Sequence, residues 1–270
     1  MTRVLRALPT MMKIGLAEAI AYRAEMLVWV LSTTMPFVMW VMWSAVAEVS
    51  PVVGQSGRAY GAAAFSAYFL CTFIVRQLVS SWASWEMNWE VRQGTLAMRL
   101  LRPMHPIISY GVGHVAALPM RFGVTLPVIA VMFISGASKQ LPNDWRIWAL
   151  WVPCIVGAWL VAFFSNVAIG TLSFFMDSSL KIMEVWLACL MVFSGYLIPL
   201  DLFPPVLRTV AELLPFRYQI GLPVEVMTGT YSFEHAAQLI GIQWAWAAGL
   251  CVIAFVAWRF GVKRFQAFGG

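Results

Sequence analysis

The chain has 270 residues, of which 61% are hydrophobic and only 11% are charged. A soluble domain carries about 25% charged residues, and a soluble fold of this length has no interior large enough to bury so much apolar surface. The composition therefore excludes a soluble globular protein and predicts an all-α integral membrane protein. The net charge of +6 comes mainly from Lys and Arg beside apolar segments, which indicates membrane topology rather than nucleic-acid binding.

The first element, residues 1–24, is predicted to be an amphipathic helix that lies in the membrane interface. Its apolar residues recur at helical spacing, and Arg3, Arg6 and Lys13 fall between them. Charged residues interrupt this segment too often for it to be the apolar core of a cleaved signal peptide.

Six apolar segments follow, each near the length of about 20 residues that crosses a bilayer. In chain order they lie at about residues 26–47, 62–82, 107–135, 147–175, 182–198 and 236–258. The second ends in the cluster Trp82, Trp85 and Trp89, and indole rings are typical of a membrane boundary. Six spans use about 120 residues, which leaves no room for a large soluble catalytic domain. We therefore expect one membrane domain over residues 1–270.

Two connecting segments are too long to be simple turns. Residues 86–106 are too polar to span a membrane and predict a cytoplasmic helical segment closed by Pro103. The proline-rich segment after the fifth span holds two apolar patches of about ten residues, which are too short to cross and predict re-entrant or interfacial helices. Because Lys and Arg lie mainly on one side of the predicted spans, both termini are predicted to be cytoplasmic.

The sequence offers little sign of catalysis. The nearest candidate for the nucleophile of an intramembrane serine protease is Ser194, but Val192 stands where a GxSG motif needs glycine, and the only later histidine is His235. His105 and His114 belong to no HExxH or paired metal-ligand pattern. No GxxxxGK[ST] phosphate loop occurs, so another polypeptide must power any ATP-driven step. We therefore predict neither an enzyme nor a metal site, and no cofactor in this chain.

Two arginines lie inside predicted spans, where a charge is costly and is therefore a candidate functional group. Arg76 lies about two turns from the cytoplasmic end of its span, from which a long side chain can reach the interface. Arg121 lies near the middle of the third span. Two roles stay open for it: an ion pair with Glu18, Glu25 or Glu184 of a neighbouring helix, or a place on a transport path.

Two stretches of the chain match motifs of one family. Residues 90–96 read Glu-Val-Arg-Gln-Gly-Thr-Leu, and residues 100–103 read Leu-Leu-Arg-Pro. Residues 193–204 read Phe-Ser-Gly-Tyr-Leu-Ile-Pro-Leu-Asp-Leu-Phe-Pro, and after them come Leu214-Pro215-Phe216, Pro223 and Gly229. With the amphipathic start and the number of spans, these stretches resemble the permease subunits of type-2 ABC exporters, in particular the compact six-span bacterial branch encoded separately from its ATPase.

The first stretch corresponds to the E-x-x-x-G-T-L … L-x-x-P segment that this family carries between its second and third spans. The chain departs from the family pattern at Ala97, where many relatives carry an acidic residue, so the charge pattern of the ATPase contact is open.

The resemblance implies a permease subunit of an ATP-driven exporter in the bacterial inner membrane. Its implied partners are separate ABC ATPase subunits, which bind ATP and Mg²⁺, a second permease half, identical or paralogous, and membrane lipids. A hydrophobic or amphipathic substrate, such as a drug, an antibiotic, a lipid or a glycan precursor, would suit an apolar path along the second and fifth spans. The alternative is an ATP-independent six-span channel or membrane scaffold.

The resemblance also implies two functional segments. A coupling helix within residues 86–103 would dock on the ATPase, and a re-entrant hairpin at residues 199–229 would cap the cavity between two permease halves and gate release. The implied coupling residues are Glu86, Glu90, Arg92, Gly94, Thr95, Leu96, Arg99, Arg102 and Pro103. The residues expected in the gate are Pro199, Phe203, Pro204, Pro215, Phe216, Arg217 and Pro223.

Overall fold

The computed structural model describes residues 2–21, 28, 33–50 and 52–265, and this part of the chain is mostly helical. Its α-helices, in chain order, are α1 (Thr2–Ala21), α2 (Met35–Val49), α3 (Ala62–Val79), α4 (Ala83–Arg92), α5 (Leu96–Leu100), α6 (Pro106–Ala116), α7 (Leu118–Ile134), α8 (Trp145–Gly170), α9 (Ser179–Phe193), α10 (Pro205–Leu213), α11 (Gly221–Met227) and α12 (Phe233–Gly261). Short 3-10 helices lie at Ala137–Gln140, Thr171–Phe174, Leu200–Leu202 and Val262–Arg264. Strands β1 (Val52–Val53) and β2 (Ala59–Tyr60) form a small antiparallel hairpin.

Four helical stretches in the described residues are long and apolar enough to cross a membrane. They are Ala62–Arg92, Pro106–Ile134, Trp145–Phe174 and Phe233–Arg264. These stretches coincide with the second, third, fourth and sixth predicted spans, and they support the prediction of an all-α membrane protein that crosses the bilayer several times.

The first and fifth predicted spans are shorter where they are described. Part of the first lies outside the described residues, and the helix seen there, α2, has 15 residues. The fifth corresponds to α9, which also has 15 residues and ends at Phe193 rather than at the expected Ile198. The total of six spans therefore stays a prediction.

The predicted amphipathic segment forms α1, which ends at Ala21; residues 22–24 lie outside the described part of the chain. Helix α1 packs along α6, the first half of the third predicted span. Its location in a membrane interface stays a prediction.

The polar segment after the second span forms two helices rather than the single helical segment that we expected. Helix α4 ends at Arg92 and α5 begins at Leu96, with Gly94 between them at a φ of 72°. Glycine adopts a positive φ readily because it has no Cβ, so the chain reverses here at little cost. Pro103 follows shortly after α5, as the sequence indicated.

Helix α3 is the centre of the molecule. Twelve of its 18 residues are buried, and α2, α7, α8 and α11 pack around it. Three aromatic rings, those of Phe65, Tyr68 and Phe69, form contacts along the helix. By contrast, α7, α8 and α12 each leave apolar side chains exposed. Apolar exposure on this scale is what contact with lipid allows, since a bilayer does not penalise it.

Candidate functional site

The first candidate region is the 83–103 segment, which comprises α4, the turn at Gly94 and α5. Arg99 of α5 reaches back across the turn: its Nε donates to Oε2 of Glu90 at 2.9 Å, and its Nη2 donates to Oε1 of Glu86 at 2.8 Å. Nη2 also donates to Oε1 of Glu90. The Arg99 side chain is only 14% exposed, so these ion pairs lie inside the segment and hold α5 against α4.

Arg99 also ties the segment to α6. Its Nη1 donates to Oγ of Ser109 at 3.0 Å, and its guanidinium lies 4.1 Å from the centre of the Tyr110 ring. The Tyr110 hydroxyl donates to Glu90 at 2.6 Å. Burial alone would lower the pKa of Arg99, but the hydrogen bond with Glu90 and the charges around it outweigh this, and the pKa is raised. Arg99 therefore stays charged in a largely buried position.

The predicted coupling residues divide between two environments. Glu86, Glu90 and Arg99 pair with one another, and Leu96 is fully buried beneath them. The outward side of the segment carries Arg92, Thr95, Arg102 and Pro103, all of them exposed.

Apolar side chains stand beside these exposed residues. Met98 is 67% exposed and Leu101 is 81% exposed. Trp89, in the last turn before the break, is exposed as well. The exposed tip of the segment is thus apolar at its centre with arginines beside it. The sequence had not distinguished the inward charges from the outward ones, because the two sets alternate along the chain.

Of the two arginines inside predicted spans, Arg121 is the more buried, at 6% exposure. It donates to the backbone carbonyls of Gln77 at 3.4 Å and Ser80 at 2.8 Å, and it lies 4.3 Å from the centre of the Trp82 ring. Glu184 is exposed and forms no ion pair with it. Among the described side chains, the partners of Arg121 are therefore backbone groups and a ring, not a carboxylate.

The other two expected partners of Arg121, Glu18 and Glu25, lie outside the side chains described. Arg76, in the last turn of α3, shares a hydrogen bond with the side chain of Tyr196 and donates to Oγ of Ser80 at 3.5 Å. Arg76 is thus held at the point where the chain leaves α9.

The second candidate region is the 195–231 segment, which follows α9 and contains α10 and α11. Six of the seven predicted gate residues are buried: Pro199, Phe203, Pro215, Phe216, Arg217 and Pro223. Pro204 is exposed. The Phe216 ring lies 4.6 Å from that of Trp186 in α9, and the Tyr68 hydroxyl of α3 donates to the carbonyl of Gly195 at 2.8 Å. The segment is therefore packed against α3 and α9 rather than extended into solvent.

Arg217 is the buried charge of this segment, at 4% exposure. Its Nη2 lies 3.2 Å from Oε2 of Glu225 and donates to the Tyr231 hydroxyl at 2.7 Å, and its Nη1 lies 3.5 Å from Oε1 of Glu212. These contacts join α10, α11 and the residues just before α12 around one guanidinium.

A second ionic cluster joins the 195–231 segment to the β1–β2 hairpin. Asp201 accepts hydrogen bonds from the backbone N–H of Ser56 at 2.9 Å, from its hydroxyl at 2.6 Å and from the Tyr60 hydroxyl at 3.3 Å. Arg208 also donates to Asp201, at 3.0 Å. A hydrogen bond with Glu212 is the main reason why the pKa of Arg208 is raised. Sequence reasoning missed this cluster, because Ser56 and Tyr60 lie more than 140 residues from Asp201 in the chain.

Between the hairpin and the 195–231 segment lies a cavity of about 500 Å³. Charged and phenolic side chains line it, among them Arg58, Tyr60, Asp201, Arg208, Glu225 and Tyr231. Within the described residues, His, Cys, Asp and Glu side chains form no group of three or more suited to a metal ion.

A comparison with protein families identifies the chain. A family model described as ABC-2 family transporter protein matches residues 54–269. The match includes both candidate segments and all four helical stretches of spanning length. None of the curated proteins compared with the chain matches it. Because the family model covers most of the chain, the protein belongs to the ABC-2 transporter family, the membrane subunits of ABC transporters that pair with an ABC ATPase.

Proposed function

We propose that this chain is the permease subunit of an ATP-driven exporter in the bacterial inner membrane. In this proposal it crosses the membrane six times with both termini in the cytoplasm. It works with separate ABC ATPase subunits, which bind ATP and Mg²⁺, and with a second permease half. The observation that carries the proposal is the 83–103 segment, whose exposed tip is apolar and basic while its acidic residues face inward.

Two features support six crossings. The residues before α2 are apolar in sequence, and together with its 15 residues they reach the length of a span. Helix α9 covers about 22 Å at about 1.5 Å per residue, and the apolar residues Leu197 and Ile198 follow it. An even number of crossings then puts both termini on one side of the membrane.

The tip of the 83–103 segment suits a docking contact on the ATPase. Protein interfaces commonly have an apolar centre and a polar rim, and here Met98 and Leu101 provide the centre while Arg92 and Arg102 provide charges beside it. Because both exposed charges are positive, the docking cleft of the ATPase is expected to carry acidic residues. The internal pairing of Arg99 with Glu86 and Glu90 keeps the tip in one shape, which lowers the entropic cost of docking.

The 195–231 segment suits a gate at the opposite face. Its buried aromatic and proline residues pack against α3 and α9, and the ion pairs of Arg217 and Asp201 hold the segment in the observed position. The ion pairs of Arg208 with Asp201 and Glu212 are partly exposed, so water can replace these partners when the segment moves. Release of the substrate is proposed to require movement of this segment.

The substrate is proposed to be hydrophobic or amphipathic. Helix α9 exposes Val185, Met191 and Val192, whereas the aromatic side chains of α3, in the second span, are buried. A path along the exposed face of α9 would lower the cost of moving an apolar group and would offer little to a hydrated ion.

The experiment that tests the proposal is co-purification from native membranes in mild detergent. The chain is expected to retain an ATPase with a P-loop in a fixed ratio. Met98→Asp with Leu101→Asp places charge in the apolar centre of the tip and should abolish this association. Val206→Asp, at an equally exposed apolar position in α10, is the matched control and should leave association unchanged. Absence of any ATPase from the wild-type preparation would refute the proposal.

A further inference from the structure

The connection between α3 and α4 is interrupted at residues 80–82, which have no helical backbone. The last carbonyls of a helix and the first N–H groups of the next have no partner within the helices themselves. Such groups rarely stay unpaired when buried. The partners of these groups therefore show what holds the two helices in their relative orientation.

On the α3 side of the interruption, the partners are supplied mainly by Arg121 of α7. Its Nη1 donates to the carbonyl of Gln77 at 3.4 Å and to that of Ser80 at 2.8 Å. The Ser80 hydroxyl covers one more carbonyl, that of Arg76, at 2.6 Å. The guanidinium also lies over the Trp82 ring, so one side chain of the third predicted span closes the end of α3.

On the α4 side, the partner is His114 of α6, which is 1% exposed. Its Nε2 accepts from the backbone N–H of Trp82 at 3.0 Å, and its Nδ1 lies 2.7 Å from the carbonyl of Tyr110. A carbonyl can only accept and an N–H can only donate, so the two contacts require the neutral tautomer with its hydrogen on Nδ1. Both ring nitrogens are thereby committed to backbone groups, one at the N-cap of α4 and one in α6.

We propose that Arg121 and His114 are the positioning residues of a hinge at residues 80–82, through which movement of the docking segment reaches α3. This inference rests on the proposed function, because it assumes that an ATPase moves the 83–103 segment. The same segment is fastened to α6 by Arg99, through Ser109 and Tyr110. When α4 and α5 move, α6 and α7 therefore move with them. Arg121 of α7 then displaces the end of α3, because it is hydrogen-bonded to the carbonyls of Gln77 and Ser80.

The arrangement predicts that variants of His114 and Arg121 still dock on the ATPase but no longer transmit its movement to α3. His114→Phe keeps a ring against Trp82 but removes the acceptor, and Arg121→Gln removes the charge and the stacking plane. Neither residue lies at the exposed tip, so the ATPase should still bind and hydrolyse ATP. The movement at the opposite face of the molecule should be lost.

The experiment uses the complex of the chain with its co-purified ATPase in lipid nanodiscs. The native cysteines are replaced by serine, and an environment-sensitive fluorophore is attached to Val53→Cys, an exposed position of β1. Mg-ATP with vanadate is expected to change the fluorescence of the otherwise unaltered chain. We expect His114→Phe and Arg121→Gln to lose this fluorescence change while they keep ATPase binding and hydrolysis. We expect His114→Gln, which retains an acceptor, to keep the fluorescence change.

The matched controls are His235→Phe and Arg146→Gln, the same replacements at exposed positions, which should behave as the unaltered chain. Arg121→Lys keeps the buried charge and serves as the second variant if Arg121→Gln does not fold.

A full fluorescence change in His114→Phe and Arg121→Gln would overturn the hinge and leave the proposed function intact. Loss of ATPase binding in these variants would also overturn it, since the residues would then shape the docking surface. A chain that binds no ATPase at all would overturn both proposals.

Discussion

At the scale of single residues, Arg99 shows how a buried charge can hold a short helix, α5, that buries only one apolar residue of its own. Helix α5 has only five residues, and a helix this short is unstable alone. Two carboxylates, a serine hydroxyl and a tyrosine ring surround the Arg99 guanidinium, and they come from α4 and α6. Leu96 joins Ala83 and Met87 of α4 in one buried apolar cluster. The position of α5 against α4 therefore depends on Arg99 together with this cluster.

Arg99→Leu should destabilise this segment, because Glu90 would remain largely buried without its partner. Removing one member of a buried ion pair costs about 3 kcal/mol or more, and a loss near that value is expected in the free energy of unfolding. Thermal unfolding of the purified chain in detergent would measure it. Arg102→Leu, at an exposed arginine three residues away, is the control and should change stability by less than about 0.5 kcal/mol. Equal effects of the two replacements would contradict the internal role of Arg99.

At the scale of elements, the two candidate segments differ in how far the sequence could predict them. The proline at position 103 indicated where the helical segment ends, but the sequence predicted one helical segment there and not the break at Gly94. Which charges face inward depends on the reversal at Gly94, which brings residues nine and thirteen positions apart into contact. No helical spacing of three or four residues reveals such pairs. The sequence thus predicted a charged helical segment, but not the division between internal and exposed charges.

Gly94→Ala should disturb this reversal, because a residue with a Cβ is strained at a φ of 72°. The cost of a left-handed conformation is about 1–2 kcal/mol for such a residue. Association with the ATPase should weaken accordingly, which can be measured as the fraction retained during co-purification. Gly123→Ala, in α7 with nothing near the added Cβ, should not weaken it. Unaltered association of Gly94→Ala would mean that the turn does not set the docking surface.

The contact between the β1–β2 hairpin and the 195–231 segment gives a second prediction at this scale. A Cβ added at Gly54 would lie 1.9 Å from Oδ2 of Asp201, so Gly54→Ala must displace the hairpin from Asp201. Hydrogen exchange of residues 52–60 should become faster, since the N–H of Ser56 loses its acceptor. Gly61→Ala, where the added Cβ has nothing within 4 Å, should exchange as the unaltered chain does. Unchanged exchange in Gly54→Ala would show that Asp201 does not hold the hairpin.

At the scale of the whole molecule, the apolar runs predicted the long helices because a bilayer imposes a minimum length on any helix that crosses it. The same rule could not predict the ionic clusters between distant segments. Asp201 and Ser56 are 145 residues apart, and a single sequence contains no signal that joins them. The sequence singled out Arg121 as a charge inside a predicted span, but its hydrogen-bond partners are backbone carbonyls, which every residue has and no motif marks.

The orientation of the molecule follows from the proposed function and can be tested directly. If an ATPase binds the 83–103 segment, Met98 must face the cytoplasm. Val53 and Val206, which are also exposed, must then face the opposite side of the membrane. In a chain without its native cysteines, a membrane-impermeant maleimide should label Val53→Cys and Val206→Cys on intact cells. It should label Met98→Cys only after permeabilisation, because the bilayer then no longer separates the reagent from the segment. Rapid labelling of Met98→Cys on intact cells would place the apolar and basic tip outside, beyond the reach of any ATPase, and the transport proposal would have to be abandoned.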